Sequence, residues 1–538
     1  MILLPLLLAG QAAPATDAPV ITPAEIKADV RELASDAFAG RGPGEAGETA
    51  TIAYLQKQMA AAGLAPAGEN GGWTQAVPLV RLDRLPGARA SLAVNGRAVP
   101  LKVGQTVAVS FPNAGRTELK DAPLVFAGFG IADPRNGHDD FAGIDWTGKI
   151  ALVLANDPDF EAGSDLGFEG KRLVLGGRVG SKFAAAAKAG AAGVLVIHED
   201  AAASYPFNQV GQPLPAAVPA PLKPSPLKLT GWLDRAAWEP LLASLKLDLA
   251  TLKAQARSPA MAFRPMPLAG VTLSAAGEVK ATPFTSHNVI GKLAGTSRAG
   301  ETVLYGAHWD ANGTNGPDAS GDAIRNGAVD NGIGTAELLA VARAFARAPR
   351  TARTVMFAAW TAEEKGLLGA DFYAAHPMAP LETTAAVINL DPHVALPEAT
   401  TLELIGGGKT DLEDDLKTVA AADGLTVVDE PNPEAGWYFR SDHYPFAARG
   451  VPALAFRIGR TLKVGGGAAG SRIVDAYNAR CYHQPCDAFD ANWGAEGAAQ
   501  EAQVAFRLGQ TLASGGRWPA WRSSGFGDVR ERSAAMRK

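Results

Sequence analysis

Four short apolar runs restrict what the second half of this chain can become. They span residues 302–307, 354–360, 386–390 and 452–456, and helical spacing lies between them, as in Leu338, Leu339, Ala342 and Phe345. Short apolar runs that alternate with helices read as strands of an α/β sheet. The first three lead into His308-Trp-Asp310, into Thr361-Ala-Glu363-Glu364 and into Asp391, and the fourth follows Ser441-Asp-His443. Open α/β sheets bind ligands beyond the carboxyl ends of their strands. Residues distant in sequence are therefore delivered to one edge. Asp330-Asn-Gly, just before the helix of Leu338, adds a carboxylate there, and Cys481-Tyr-His483-Gln-Pro-Cys486-Asp487 comes late in the chain.

These residue types suit a metal. Zn²⁺ takes imidazole nitrogen and carboxylate oxygen, and a catalytic site leaves one position for water. Two such ions, roughly 3.5–4 Å apart, can share a carboxylate and make their water nucleophilic near neutral pH. A further carboxylate must move the proton from water to the leaving amine. Adjacent Glu363 and Glu364 can divide that work, one as base and one as ligand. Each fragment alone has a plainer reading: His-x-Asp as a surface pair, Glu-Glu as a helix start, Asp-Asn-Gly as a turn. Their conjunction at strand ends, in one segment, carries the argument.

The rest of the chain is read more coarsely. At roughly 150 residues per domain, 538 residues would make three or four units. Apolar residues at 47% and charged ones at 20% exclude wholesale disorder. The net charge of −5 argues against a nucleic-acid-coating protein, and two cysteines cannot build a disulfide scaffold. Residues 1–15 resemble the apolar and small-residue parts of a secretory leader without its basic start, which gives an expected periplasmic or secreted location. No later run is long enough to span a membrane, so no stable membrane insertion is expected. Thr22-Pro23-Ala24-Glu25 opens a helix, and Ile52, Leu55 and Met59 mark another, ended by Gly63. Residues 124–131, 149–154 and 193–197 are strand-like, with an Ala-rich helix between the last two, and residues 212–226 are Pro-rich loop.

As a set, His308-x-Asp310, Asp330-Asn-Gly, Glu363-Glu364, Asn389-Leu-Asp391, Ser441-Asp-His443 and Tyr482-His483 resemble the zinc aminopeptidases related to aminopeptidase Y, Vibrio-type leucyl aminopeptidase and glutamate carboxypeptidase II. The segment from Leu33 to Arg41, with Gly47-Glu48, is similar to the start of that family. Asp140 to Asp145, Gly148-Lys149 and Lys188 to Val194 resemble a protease-associated (PA) domain. The resemblance implies an α/β fold, a phosphorylase/hydrolase-like zinc exopeptidase sandwich with a mixed central sheet and an inserted β-rich PA domain. Expected parts are residues 20–114 and 275–515 for the catalytic unit, 115–274 for the insert and 516–538 for a C-terminal tail.

Roles follow from the same resemblance. Two Zn²⁺ per chain are implied, one held by His308 and Asp391, the other by Glu364 and His483, with Asp330 bridging. Asp310 would orient His308, and Glu363 would be general base and acid. Tyr438 and His443 are candidate substrate or carbonyl partners, and Trp437, Tyr438 and Phe439 candidate pocket walls. Peptides are the expected substrates, cut at the N-terminal bond. A carboxypeptidase, for which Arg440 and Arg457 could hold a carboxylate, a glutaminyl cyclase-like acyl transferase and a non-catalytic binding ectodomain are the alternatives. Pro392-His393 replaces the apolar residues usual after the aspartate, and two cysteines flank His483. In an exported protein Cys481 and Cys486 can close as a disulfide; free thiols and thiolate ligation of zinc remain open.

Other motifs fall short. Gly406-Gly-Gly-Lys409-Thr410 ends like a P-loop, but Glu403 stands where the first glycine is required. His138, His198, His287 and His376 lack ligand-like neighbours and read as structural or exposed.

Overall fold

The computed structural model describes residues 19–133, 137–160, 166–211, 216–257, 263–392, 394–522 and 527–537. The expected leader and His393 lie outside them.

The four apolar runs are strands of one mixed sheet. Strand Arg298–His308 lies parallel to Arg353–Trp360 on one side and to Thr384–Asn389 on the other, and Ala453–Ile458 runs parallel beside the latter. Antiparallel neighbours flank these four, Val289–Leu293 against Arg353–Trp360 and Thr401–Leu404 against Ala453–Ile458. The runs look uniformly apolar because both faces are buried. Val303, Tyr305, Val355 and Phe357 join a core with the helices Pro23–Leu33, Gly334–Arg347 and Glu496–Ser514. Leu304, Met356, Ala358 and Trp360 point into a second core with helix Leu368–Ala375. Thr22 and Glu25 cap the first helix reciprocally, as Thr22-Pro-Ala-Glu25 predicts.

A separate hydrophobic cluster gathers residues from Val80 to Val279. Here strands Ile150–Leu154, Gly193–Ile197 and Leu229–Leu233 run parallel, and helix Val179–Ala189 connects the first two. This packing starts upstream of the boundary expected near 115. Strands Arg89–Val94 and Val107–Ser110 pair with the insert rather than with the catalytic sheet. The expected boundary at 275 falls inside a single 28-residue strand, Met266–Leu293. That strand pairs in the insert near residue 273, with Thr74–Arg84 along its middle, and with the catalytic sheet at its end. A strand passing from one sheet to another has no compositional break, which hides the junction from the sequence.

Within the expected tail, the described residues pack on the catalytic unit. Trp521 donates its indole N–H to Gly450 O at 2.9 Å, and helix Gly527–Met536 covers the second catalytic core through Val529. Among the described residues, no helix is long and apolar enough to cross a membrane.

Candidate metal centre

His308 is the last residue of its strand and is 1% exposed. Its Nε2 faces Asp330 Oδ1 at 3.4 Å, Asp391 Oδ1 at 3.7 Å and Glu363 Oε2 at 3.9 Å. His483 Nε2 faces Glu364 Oε2 at 3.1 Å and Asp330 Oδ2 at 3.2 Å. Asp330 thus turns one oxygen to each imidazole. Candidate ligand atoms of His308, Glu363 and Asp391 lie within 4.8 Å of one another, as do those of Asp330, Glu364 and His483. Strand ends, one helix start and one late loop converge on this point.

So many buried carboxylates repel one another unless cations stand between them. Burial raises the Glu363 carboxyl well above its ordinary value, against the pull of His308 and with help from Asp442 and Asp391. Burial would lower His308, but Glu363 and the carboxylates of Asp310, Asp330 and Asp391 hold it well above the usual range. His483, also opposed by burial, is pushed up to about 10 by Glu364 and Asp330. Glu364 Oε1 is buried without a hydrogen-bond partner among the described residues. Imidazoles held among acids, with an orphaned carboxylate oxygen, form a donor set suited to zinc.

Supporting contacts fix these side chains. His308 Nδ1 lies 3.0 Å from the Asp310 carbonyl, while the Asp310 carboxylate is 3.7 Å away. That carboxylate instead accepts the backbone N–H of Glu363 at 3.0 Å. Toward His308, Asp310 thus offers its backbone carbonyl, while its carboxylate holds the backbone of Glu363. Ser441 donates its hydroxyl to Asp391 and accepts from Asn389 Nδ2. Asp487 accepts the backbone N–H groups of Val329 and Asp330 at 2.8 and 3.1 Å. Arg41, fully buried, donates to the carbonyls of Leu33, Trp309, Asn326 and Gly327. These residues act through backbone groups and through neighbours, so motif reading does not assign them a role. Arg41, Asn389, Ser441 and Asp487 all stand in segments the sequence singles out, but without a role of their own.

The ligands line a cavity of about 210 Å³ whose wall includes His443, Trp437, Tyr482, Arg440, Arg457 and Arg178. Burial lowers His443 to about 3, so its imidazole is neutral. Tyr438 is absent from the described lining; its ring packs 4.6 Å from Lys409 Nζ and 4.7 Å from the His443 ring. The tyrosine on the cavity is Tyr482, stacked 3.8 Å from the His483 ring. Cys481 and Cys486 are joined as a disulfide around His483. The Gly406–Thr410 loop gives its amide N–H groups at Gly408, Lys409 and Thr410 to Glu413, at 2.9, 2.7 and 3.1 Å, and offers no phosphate cradle. His138, His198, His287 and His376 lie away from the cavity; His138 contacts Asp140 at 3.0 Å.

The insert reaches the same cavity. Arg172 donates to Gly407 O at 2.6 Å, Leu173 N to Pro433 O at 3.1 Å, and Arg178 to Phe439 O. Approach is close enough that a Cβ on Gly436 would lie 2.3 Å from Leu173 Cδ2.

Residues 288–507 match the family model of Peptidase family M28, and residues 120–221 that of the PA domain. A probable zinc metalloprotease of Pyrenophora teres f. teres (strain 0-1) is 38% identical over 109 residues, 20% of this chain and 23% of that protein. Aminopeptidase NAALADL1 of Mus musculus is 34% identical over 113 residues, 20% of this chain and 14% of its own length. The match thus spans about a quarter or less of these curated relatives. A solved aminopeptidase from Aneurinibacillus sp. strain AM-1 shares the fold, with a TM-score of 0.55 and 19% identity over 93% of this chain and 95% of that one.

Proposed function

We propose that this chain, built from a Peptidase family M28 domain and a PA domain, is a two-zinc aminopeptidase. One observation carries the reading: two clusters of candidate ligands, each within 4.8 Å, meet at Asp330. His308 and Asp391 would hold one zinc and Glu364 and His483 the other, with Asp330 between them. Bound there, zinc supplies Lewis acidity toward the scissile carbonyl and lowers the pKa of water toward neutrality. Glu363, whose contact to His308 is the longest of the set at 3.9 Å, acts as the base. It takes a proton as the water oxygen bonds to the carbonyl carbon, then gives it to the amine as the C–N bond breaks. Asp310 holds the backbone of Glu363 in place for this transfer. The apolar leader supports a periplasmic or secreted site of action.

The test is a panel of free and N-blocked peptides, assayed with and without chelator. Cleavage restricted to free N-termini, abolished by chelator and restored by zinc, is the expected result. Cleavage of N-blocked peptides with free C-termini would replace this reading with the carboxypeptidase one, which the arginines on the cavity wall favour.

A further inference from the structure

A second cavity, larger than that of the metals, lies in the insert. It holds about 460 Å³ and shares no described lining residue with the metal cavity. Its walls are mainly apolar, with Val109, Phe111, Phe183, Trp232 and Val279 among them. Close packing fixes the aromatic rings in place. The Phe111 ring lies so near the long strand Met266–Leu293 that a Cβ on Gly277 would come within 2.2 Å of Phe111 Cε2. Trp232 meets the rings of His198 and Tyr205 edge-on, at 5.4 and 6.1 Å between centroids. A preformed, largely apolar hollow of this size with a few polar groups has the character of a small-molecule site.

Two charged residues border it, and they differ. Asp83 is matched, because Arg81 Nε lies 2.7 Å from its Oδ1. Arg84, the partly buried last residue of strand Thr74–Arg84, has no carboxylate ion pair among the described residues. Burial pulls its guanidinium below the ordinary value. Its Nη1 donates to the Val109 carbonyl at 2.9 Å. A guanidinium carries five N–H donors in a planar fork that matches a carboxylate, so that bond leaves donors over. One cation at the edge of an apolar hollow balances one negative charge. It suits a monoanion better than a phosphate dianion.

The strand bordering the cavity argues against a peptide. Val107–Ser110 pairs with Leu229–Leu233 on one side, and on the other the Val109 carbonyl is already taken by Arg84. An extended peptide laid there would bury amide groups short of a ladder partner, which is costly. An alkyl chain carries no such groups.

We propose that this cavity binds a fatty-acid-type monocarboxylate, its carboxylate on Arg84 and its chain between Phe111, Phe183 and Trp232. The insert then has a ligand of its own, and the site stands apart from the peptidase reading because its test measures binding rather than turnover.

The experiment is calorimetric titration of the full chain with octanoate and with octanol, zinc-loaded and again after chelation. Octanoate should bind about tenfold more tightly than octanol, as a charge-assisted hydrogen bond provides, and equally well in both metal states. Arg84→Met should bring that ratio toward unity, and Arg84→Lys should keep part of it. Phe183→Ser should weaken both ligands alike. Each ratio is internal to one variant, so altered folding yield does not imitate the effect. Equal affinities in the unchanged protein, no binding of either ligand, or a preference that survives Arg84→Met would each overturn the site. Octanoate binding that vanishes on chelation would move it to the metals and overturn it too. Tighter binding of the N-blocked peptide acetyl-Leu-Phe than of octanoate would overturn the acyl-chain assignment in favour of a peptide.

Discussion

The catalytic unit and the insert both use parallel strands linked by helices, and both bury charge, yet they treat that charge in opposite ways. In the insert, Lys182 is completely buried and donates to the carbonyls of Phe129 and Asn156. Asp157 accepts the backbone N–H of Asp159 and of Val174, both at 3.1 Å, and Asp159 accepts those of Leu166, Phe168 and Gly170. In the catalytic unit, His308, Asp330, Glu363, Glu364, Asp391 and His483 face mainly one another. Polar groups satisfied by backbone knit loops together. Polar groups left facing like groups around a cavity await something from outside.

The contrast can be broken at four points. The largest expected effect is on Glu363→Gln, which should keep zinc in a metal assay and lose about 10³-fold in kcat, within the range of general acid–base contributions. Turnover within tenfold of the parent would remove Glu363 from the chemistry. Next, Asp330→Asn should lower bound zinc below two per chain by elemental analysis, since a bridging carboxylate serves both ions. An undiminished zinc content would contradict its place between the clusters. On the other side, Lys182→Ala should cost about 3 kcal/mol in urea unfolding, the scale for stranding buried partners, with zinc content unchanged. A change in zinc without a loss of stability would reverse the contrast.

The smallest effect concerns pH. Burial raises the Asp157 carboxyl to about 7, although backbone N–H groups and Lys182 oppose it. A carboxyl whose folded value exceeds its unfolded one binds more protons when folded, so its contribution to stability falls as pH rises between about 4 and 7. Asp157→Asn should flatten that fall by about 2 kcal/mol, read from urea midpoints at pH 5 and pH 7.5. A parent and variant with the same slope would assign the titration elsewhere.

The same contrast separates what sequence conveys from what it hides. His308, Glu363, Glu364 and Asp391 were legible because each follows an apolar run, where strand periodicity and ligand chemistry coincide. Asp487 and Arg41 carry no such mark, since they act on backbone groups hundreds of residues away in Arg41's case. Arg178 precedes an ordinary Ala-rich helix, and only the docking of the insert onto residues 433–439 brings it to the cavity. Tyr438 and Tyr482 are equally plausible as text. Packing against Lys409 takes the first from the described cavity wall, and stacking on His483 puts the second there.

Strand Met266–Leu293 has one more consequence. Ile26, Val30 and Leu55 belong to the same core as Val303, Phe357 and Phe506. These helices thus complete their core only once the second half of the chain is made. The residues between them need not wait, because the Val80–Val279 cluster is contiguous in sequence. Loop-closure entropy favours it as the earlier unit to close. Once closed, it brings the chain ends on either side of it together through the pairing of Thr74–Arg84 with residues 279–289. The insert thereby shortens the effective tether between the early helices and the sheet that will cover them, and its order of synthesis becomes part of how the metal centre is assembled.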